Sequence, residues 1–182
     1  MLEKFIALAN SEKNNENSFF ESKNDFPEEI NFLFKNYSNA TFIDGYFSLV
    51  NSIEYQEVLK EVYTPFKEPS NCFAKDAFGN LYVWENESIK LINIRYKVSE
   101  IIGRKPSVFF NLKMTDNGFL EKRLKINMFY EAKKKLGELK QNECYGYEPL
   151  LTLGGSEKVE FLKKVKIKEH ISIIAQLTGK IE

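Results

Sequence analysis

One histidine, two cysteines and one pair of adjacent glycines bound the chemistry this chain can do. His170 lies in "KEHIS", so any histidine-based acid–base scheme, nucleophile–histidine couple or histidine-ligated metal must use it. No partner stands at a spacing that fixes one, and His170 reads as a structural residue inside a helix. Cys72 and Cys144 cannot build a disulfide framework, and neither has a second ligand at zinc spacing. Cys144 has Glu143 and Tyr145 beside it, and no cation to lower its pKa. Gly154 and Gly155, in "LTLGGSEKVE", raise the question of a phosphate loop. A Walker loop needs Lys followed by Ser or Thr, so that ammonium and backbone amides converge on the phosphates. Here Glu157 follows Ser156 directly, and two adjacent glycines do not make a dinucleotide fingerprint. Gly154 and Gly155 therefore read as a structural turn needing positive φ. Carboxylates are numerous, but no pair stands apart from a solvated surface. No catalytic residue, metal site or cofactor is expected.

The elements that would carry these residues are legible from composition and pattern. At 182 residues, 43% apolar and 29% charged, the chain fits one globular domain spanning 1–182 with a sizeable core. Its 16 Phe and 9 Tyr must supply much of that core. No apolar run approaches the roughly 18 residues of a membrane span, and "MLEKFIALANSEKNN" reads as an amphipathic helix, not a secretory signal. Reduced thiols, no membrane partner and a cytoplasmic location are the resulting expectations.

Zero net charge conceals a division. Residues 1–90 carry 8 Lys and Arg against 15 Asp and Glu, a net −7, whereas residues 91–182 carry 18 against 11, a net +7. Such asymmetry suits either a bipolar recognition surface or mutual attraction of the halves on folding. The basic runs "EAKKKLGELK" and "KKVKIKEH" interleave acids, so they read as solvated faces, with no direct nucleic-acid binding expected.

Periodicity gives an α+β fold: an antiparallel β-meander packed against several helices, with a mostly helical second half. "DFPEEINFLFKN" (25–36) predicts a helix with Pro27 and two glutamates at its start. "ATFIDGYFSLV" predicts a strand pair turning at Asp44-Gly45. Asn51 is placed to cap the helix "SIEYQEVLKEVY", with Glu54 three positions on and Ile53, Val58 and Val62 on its buried face. "NCFAKDAFGNLYVWENESIKLINIRY" (71–96) divides into three strands at Phe78-Gly79-Asn80 and Glu85-Asn86-Glu87. "PSVFFNLKM", "GFLEKRL" and "INMFYEAKKKLGEL" give short amphipathic helices. "KEHISIIAQLTG" predicts a last helix burying Ile167, Ile171, Ile174 and Leu177, stopped at Gly179.

The order of particular segments carries a resemblance. "FPEEINFLFKNYSNATFIDGYFSLVNSIEYQEVL" followed by "CFAKDAFGNLYVW" resembles the GAD-like family over about residues 1–100. "ECYGYEPLLTLGGSEKVEFLKKVKIKEHISIIAQLTG" is similar to the C-terminal domain of type VI secretion immunity proteins, placed at about 101–182. The resemblance implies a non-enzymatic protein that binds and neutralises a cognate secreted toxin or effector, a DNase in the family's best-known case. It also implies that the toxin gene lies next to the immunity gene. If the toxin is a nuclease, its cleft is basic, and the acidic half offers Glu54, Glu57, Glu61, Glu68 and Asp76 as the opposing surface. A general interaction module of the SMI1/KNR4 type and a small enzyme using His170 or the carboxylates stay open as alternatives.

Overall fold

Strand β4 (Leu81–Glu85) shows how the sequence builds the sheet. Its side chains alternate, with Leu81 and Val83 entering one hydrophobic cluster and Tyr82 and Trp84 meeting another. Both faces of the strand are thus covered, and the sheet is a middle layer between two apolar layers. The computed structural model describes residues 2–10, 26–65 and 67–182.

Six strands pair antiparallel in simple chain order: β1 (Thr41–Phe42), β2 (Phe47–Leu49), β3 (Ser70–Asp76), β4, β5 (Ser88–Asn93) and β6 (Val98–Gly103). The three strands expected between 71 and 96 are β3, β4 and β5, parted at the expected places. The β1–β2 turn carries positive φ at Ile43, Asp44 and Gly45. A register shift between Cys72 and Ala74 lets Cys72 face one cluster while Phe73 and Ala74 face the other.

One face carries the aromatic load. Helix α2 (Glu28–Tyr37), the turn α4 (Pro106–Val108) with its π-helical continuation Phe109–Lys113, α5 (Asn117–Lys122) and α6 (Ile126–Leu136) contribute to this cluster. Phe47 packs edge-on to Tyr82 at 5.0 Å between ring centroids, and Phe109 edge-on to Phe110 at 5.1 Å. The opposite face is covered by α3 (Ser52–Val62) and α7 (Ile167–Thr178), which pack on Cys72, Leu81, Val83 and Ile92.

The second half is less purely helical than its sequence suggests. It supplies β6, and β7 (Glu143–Tyr147) pairs with β8 (Leu162–Lys166) as a separate two-stranded sheet. The Lys-rich "LKKVK" alternates outward lysines along β8, a pattern that reads equally well as a helix face. Three further expectations change. The first helix, α1 (Glu3–Ile6), is a single turn, after which Ala9 bridges Phe42; Asp25 and residues 11–15 lie outside the described residues. Ile53 is 48% exposed and Leu177 56%, because Tyr55, Val58, Leu59 and Val62 on α3, and Ile167, Ile171 and Ile174 on α7, already fill the buried stripes.

Candidate partner surface and buried polar clusters

Helix α3 begins where Asn51 folds its side-chain oxygen onto the Ile53 and Glu54 amides, at 3.1 and 3.4 Å. That cap fixes the helix phase, and the buried stripe then leaves Glu54, Glu57 and Glu61 exposed at i, i+3 and i+7. Glu68 continues the acidic surface beyond the helix, with its carboxylate accepting from the Ser70 amide at 3.1 Å. The ridge is partly neutralised. Lys60 pairs with Glu57 at 2.8 Å, and Lys168 of α7 reaches Glu54 at 3.0 Å. Glu61 has no ion-pair partner among the described residues. Exposed Ile53 stands at the start of this ridge.

Asp76 does not belong to that surface. It is 1% exposed, and its carboxylate organises the β3–β4 turn, accepting from Phe78 N at 2.9 Å, Asn80 N at 3.1 Å and Asn80 Nδ2 at 2.8 Å. The Tyr46 hydroxyl lies 3.0 Å from the same carboxylate and 2.8 Å from the Leu124 carbonyl, tying the turn to the chain before α6. Burial pushes the Asp76 pKa up, against the nearby Arg95 guanidinium and these hydrogen bonds. An acid in "KDAFGN" looks exposed in sequence; the Asx-type turn it caps is what draws it inside.

The glycine pair is a turn, as its residue types suggest. Gly154 ends a short 3₁₀ turn at φ +86°. Gly155 has ordinary φ but no room, since a Cβ there would overlap the Pro149 and Leu150 carbonyl oxygens. The two glycines thus meet different demands, one conformational and one steric. His170 lies half-buried over Gly146, where an added Cβ would come within 2.6 Å of the imidazole. Burial lowers the His170 pKa. Both cysteines are buried free thiols; burial raises Cys72 and pushes Cys144 up to about 12, so neither is a ready thiolate. Among the described residues, no group of three His, Cys, Asp or Glu is placed to hold a metal ion. Among them too, no helix is long and apolar enough to cross a membrane.

Two polar clusters have no sequence signature strong enough to announce them. At the end of α3, the buried Glu85 carboxylate receives Lys90 Nζ at 2.5 Å and the Tyr63 hydroxyl at 3.0 Å, while Lys90 also reaches that hydroxyl at 2.9 Å. The second is Lys75, 5% exposed on β3 and directed at β7, where its ammonium donates to the Glu143 carbonyl at 3.2 Å. Within "NCFAKDAF", Lys75 stands between apolar Ala74 and the buried Asp76, so this strand holds two charges inside the fold.

This α+β arrangement defines a class of fold, and the comparisons then define the family. Residues 1–98 match the GAD-like domain, and residues 104–178 match the C-terminal domain of the type VI secretion (T6SS) immunity protein Tdi1. The chain belongs to the GAD-like family and carries a Tdi1-type immunity segment after it. Its structure is similar to the crystal structure of Atu4351 from Agrobacterium tumefaciens, with a TM-score of 0.69 at 19% identity, over 97% of this chain and 89% of that one. At that identity the likeness concerns the fold. No curated protein matches the chain.

Proposed function

We propose that this protein is an immunity protein that inactivates a cognate secreted toxin by stoichiometric binding, without turnover. The observation that carries this reading is the pairing, in one chain and in order, of a GAD-like segment with an immunity-protein segment. The alternative of a general interaction module would leave the second match unexplained.

The ridge Glu54, Glu57, Glu61 and Glu68 is the surface we assign to the toxin. Glu54, Glu57 and Glu61 are exposed at helical spacing on a capped helix, so their backbone needs no ordering on binding, and Glu68 follows just beyond it. A nuclease toxin of the type VI class, with a cleft built for a polyanion, would meet them with positive charge; such complementarity speeds encounter and rejects wrong partners. Ile53, exposed at the ridge's end, adds apolar contact of the kind that slows dissociation. Co-expression with the toxin encoded beside it tests the assignment. Cells should survive with the wild-type protein, and the pair should co-purify. Survival without a stable complex would point to an enzyme acting on the toxin or its product, and would overturn binding as the mechanism.

A further inference from the structure

Two clefts of about 320 Å³ each open on either side of Lys75, sharing Leu49, Lys75 and Gln141 in their walls. One is bounded by the chain around β1 and β2 and by Lys140; the other by the starts of α3 and α7. The walls therefore come from both family segments, 1–98 and 104–178, and ligand sites favour such junctions. We propose that these clefts form a binding site for a small oxyanion, a phosphoryl or carboxylate group, with Lys75 at its centre.

Lys75 has unmet hydrogen-bonding capacity among the described residues. An ammonium has three donors, and among the described residues Lys75 has one hydrogen-bond partner, the Glu143 carbonyl. No carboxylate pairs with it among those residues, although it is almost entirely buried. Burying a charge in this way is unfavourable unless it is paired, and an oxyanion in either cleft would pair it. Burial also lowers the Lys75 pKa, outweighing the attraction of the nearby Asp76 and Glu143 charges.

The surroundings favour an anion. Lys140 lines one cleft and Lys168 the other. Glu143, the half-buried acid beside Lys75 on β7, has its pKa lowered first by the Lys140 amide and then by the lysines Lys164, Lys140 and Lys166 around it. Helix α7, twelve residues long, starts at this cleft with no side-chain cap; Ile167 N already donates to the Asn142 carbonyl, and the amides that follow it in the first turn present a positive end. Three carboxylates oppose an anion here: Asp76, buried in the wall of the first cleft and hydrogen-bonded within its own turn, Glu143 beside Lys75, and Glu54, which lines the second cleft and is paired with Lys168. An entering oxyanion would take Lys168 as a second partner and release Glu54 to solvent.

The test uses the full chain alone, so it stands apart from toxin binding. Thermal unfolding is followed against inorganic phosphate in one arm and acetate in the other, each at ionic strength matched with chloride. The site predicts a saturable rise in Tm with one or both anions, lost in Lys75→Met and weakened in Lys168→Gln. The responding arm identifies the phosphoryl or carboxylate preference. Reductive methylation of the wild-type protein, mapped by mass spectrometry, gives a readout independent of any variant's folding: the anion should slow modification of Lys75 but not of Lys180. A rise retained in Lys75→Met, the absence of a saturable rise with either anion, or unchanged labelling of Lys75 would overturn the site.

Discussion

Gly154 and Gly155 illustrate how two identical neighbours carry different obligations. Gly154→Ala forces an L-residue to φ +86°, a cost of about 1 kcal/mol. Gly155→Ala must move the Pro149 and Leu150 carbonyls, and should destabilise by roughly 3 kcal/mol, within the range of overpacked sites. Denaturant unfolding of the two variants checks the order; equal effects would contradict the steric reading of Gly155. His170 supplies a pH-dependent prediction. Its folded pKa is lowered, so protonation favours the unfolded chain. The wild type should therefore lose stability as pH falls from about 6.5 towards the depressed folded value. His170→Gln should lack that component, and Tm measured against pH in both proteins reads the difference.

Helices α3 and α7 show where sequence is sufficient and where it is not. The Asn51 cap and the split of 71–96 into β3, β4 and β5 follow from turn chemistry and period-two alternation, which are local signals. Asn51→Ala should cost about 1 kcal/mol for the same local reason, as measured by denaturant unfolding. The β7–β8 pairing was not legible, because its partners are separated by the "EPLLTLGG" loop and β8 owes its form to β7, not to its own lysines. The interior position of Lys75 goes with a tertiary contact to the Glu143 carbonyl, which no local pattern encodes, whereas Asp76 is drawn in by its own turn and held there by Tyr46. The exposure of Glu54, Glu57 and Glu61 was legible, since stripe and solvent face are fixed by one helical period. Reversing two of them, Glu57→Lys with Glu61→Lys, removes only surface charges and should change stability by about 0.5 kcal/mol or less. Toxin association, followed by stopped-flow, should slow markedly and lose most of its salt dependence. An unchanged association rate would remove the ridge from the interface while leaving immunity itself intact.

At the scale of the whole molecule, the two family segments are interlocked. Each of the two hydrophobic clusters draws residues from both, running from Leu2 to Leu162 in one and from Val50 to Ile181 in the other. A backbone bond also crosses between them, with Tyr145 N donating to the Ala77 carbonyl at 2.7 Å. We therefore expect one cooperative unfolding transition with coincident Trp84 fluorescence and far-UV circular dichroism, not two. That interlock matters for function, since a surface spanning both segments is presented as one rigid body and loses little entropy when a partner docks. Neutralisation by binding makes a stoichiometric prediction that one titration decides. A fixed concentration of the cognate toxin, well above the dissociation constant of its complex, is assayed while purified protein is added. We predict a linear fall in toxin activity that reaches its floor at one equivalent, whatever the incubation time. Full inactivation at a small fraction of an equivalent, deepening with time, would mean turnover and would contradict the account.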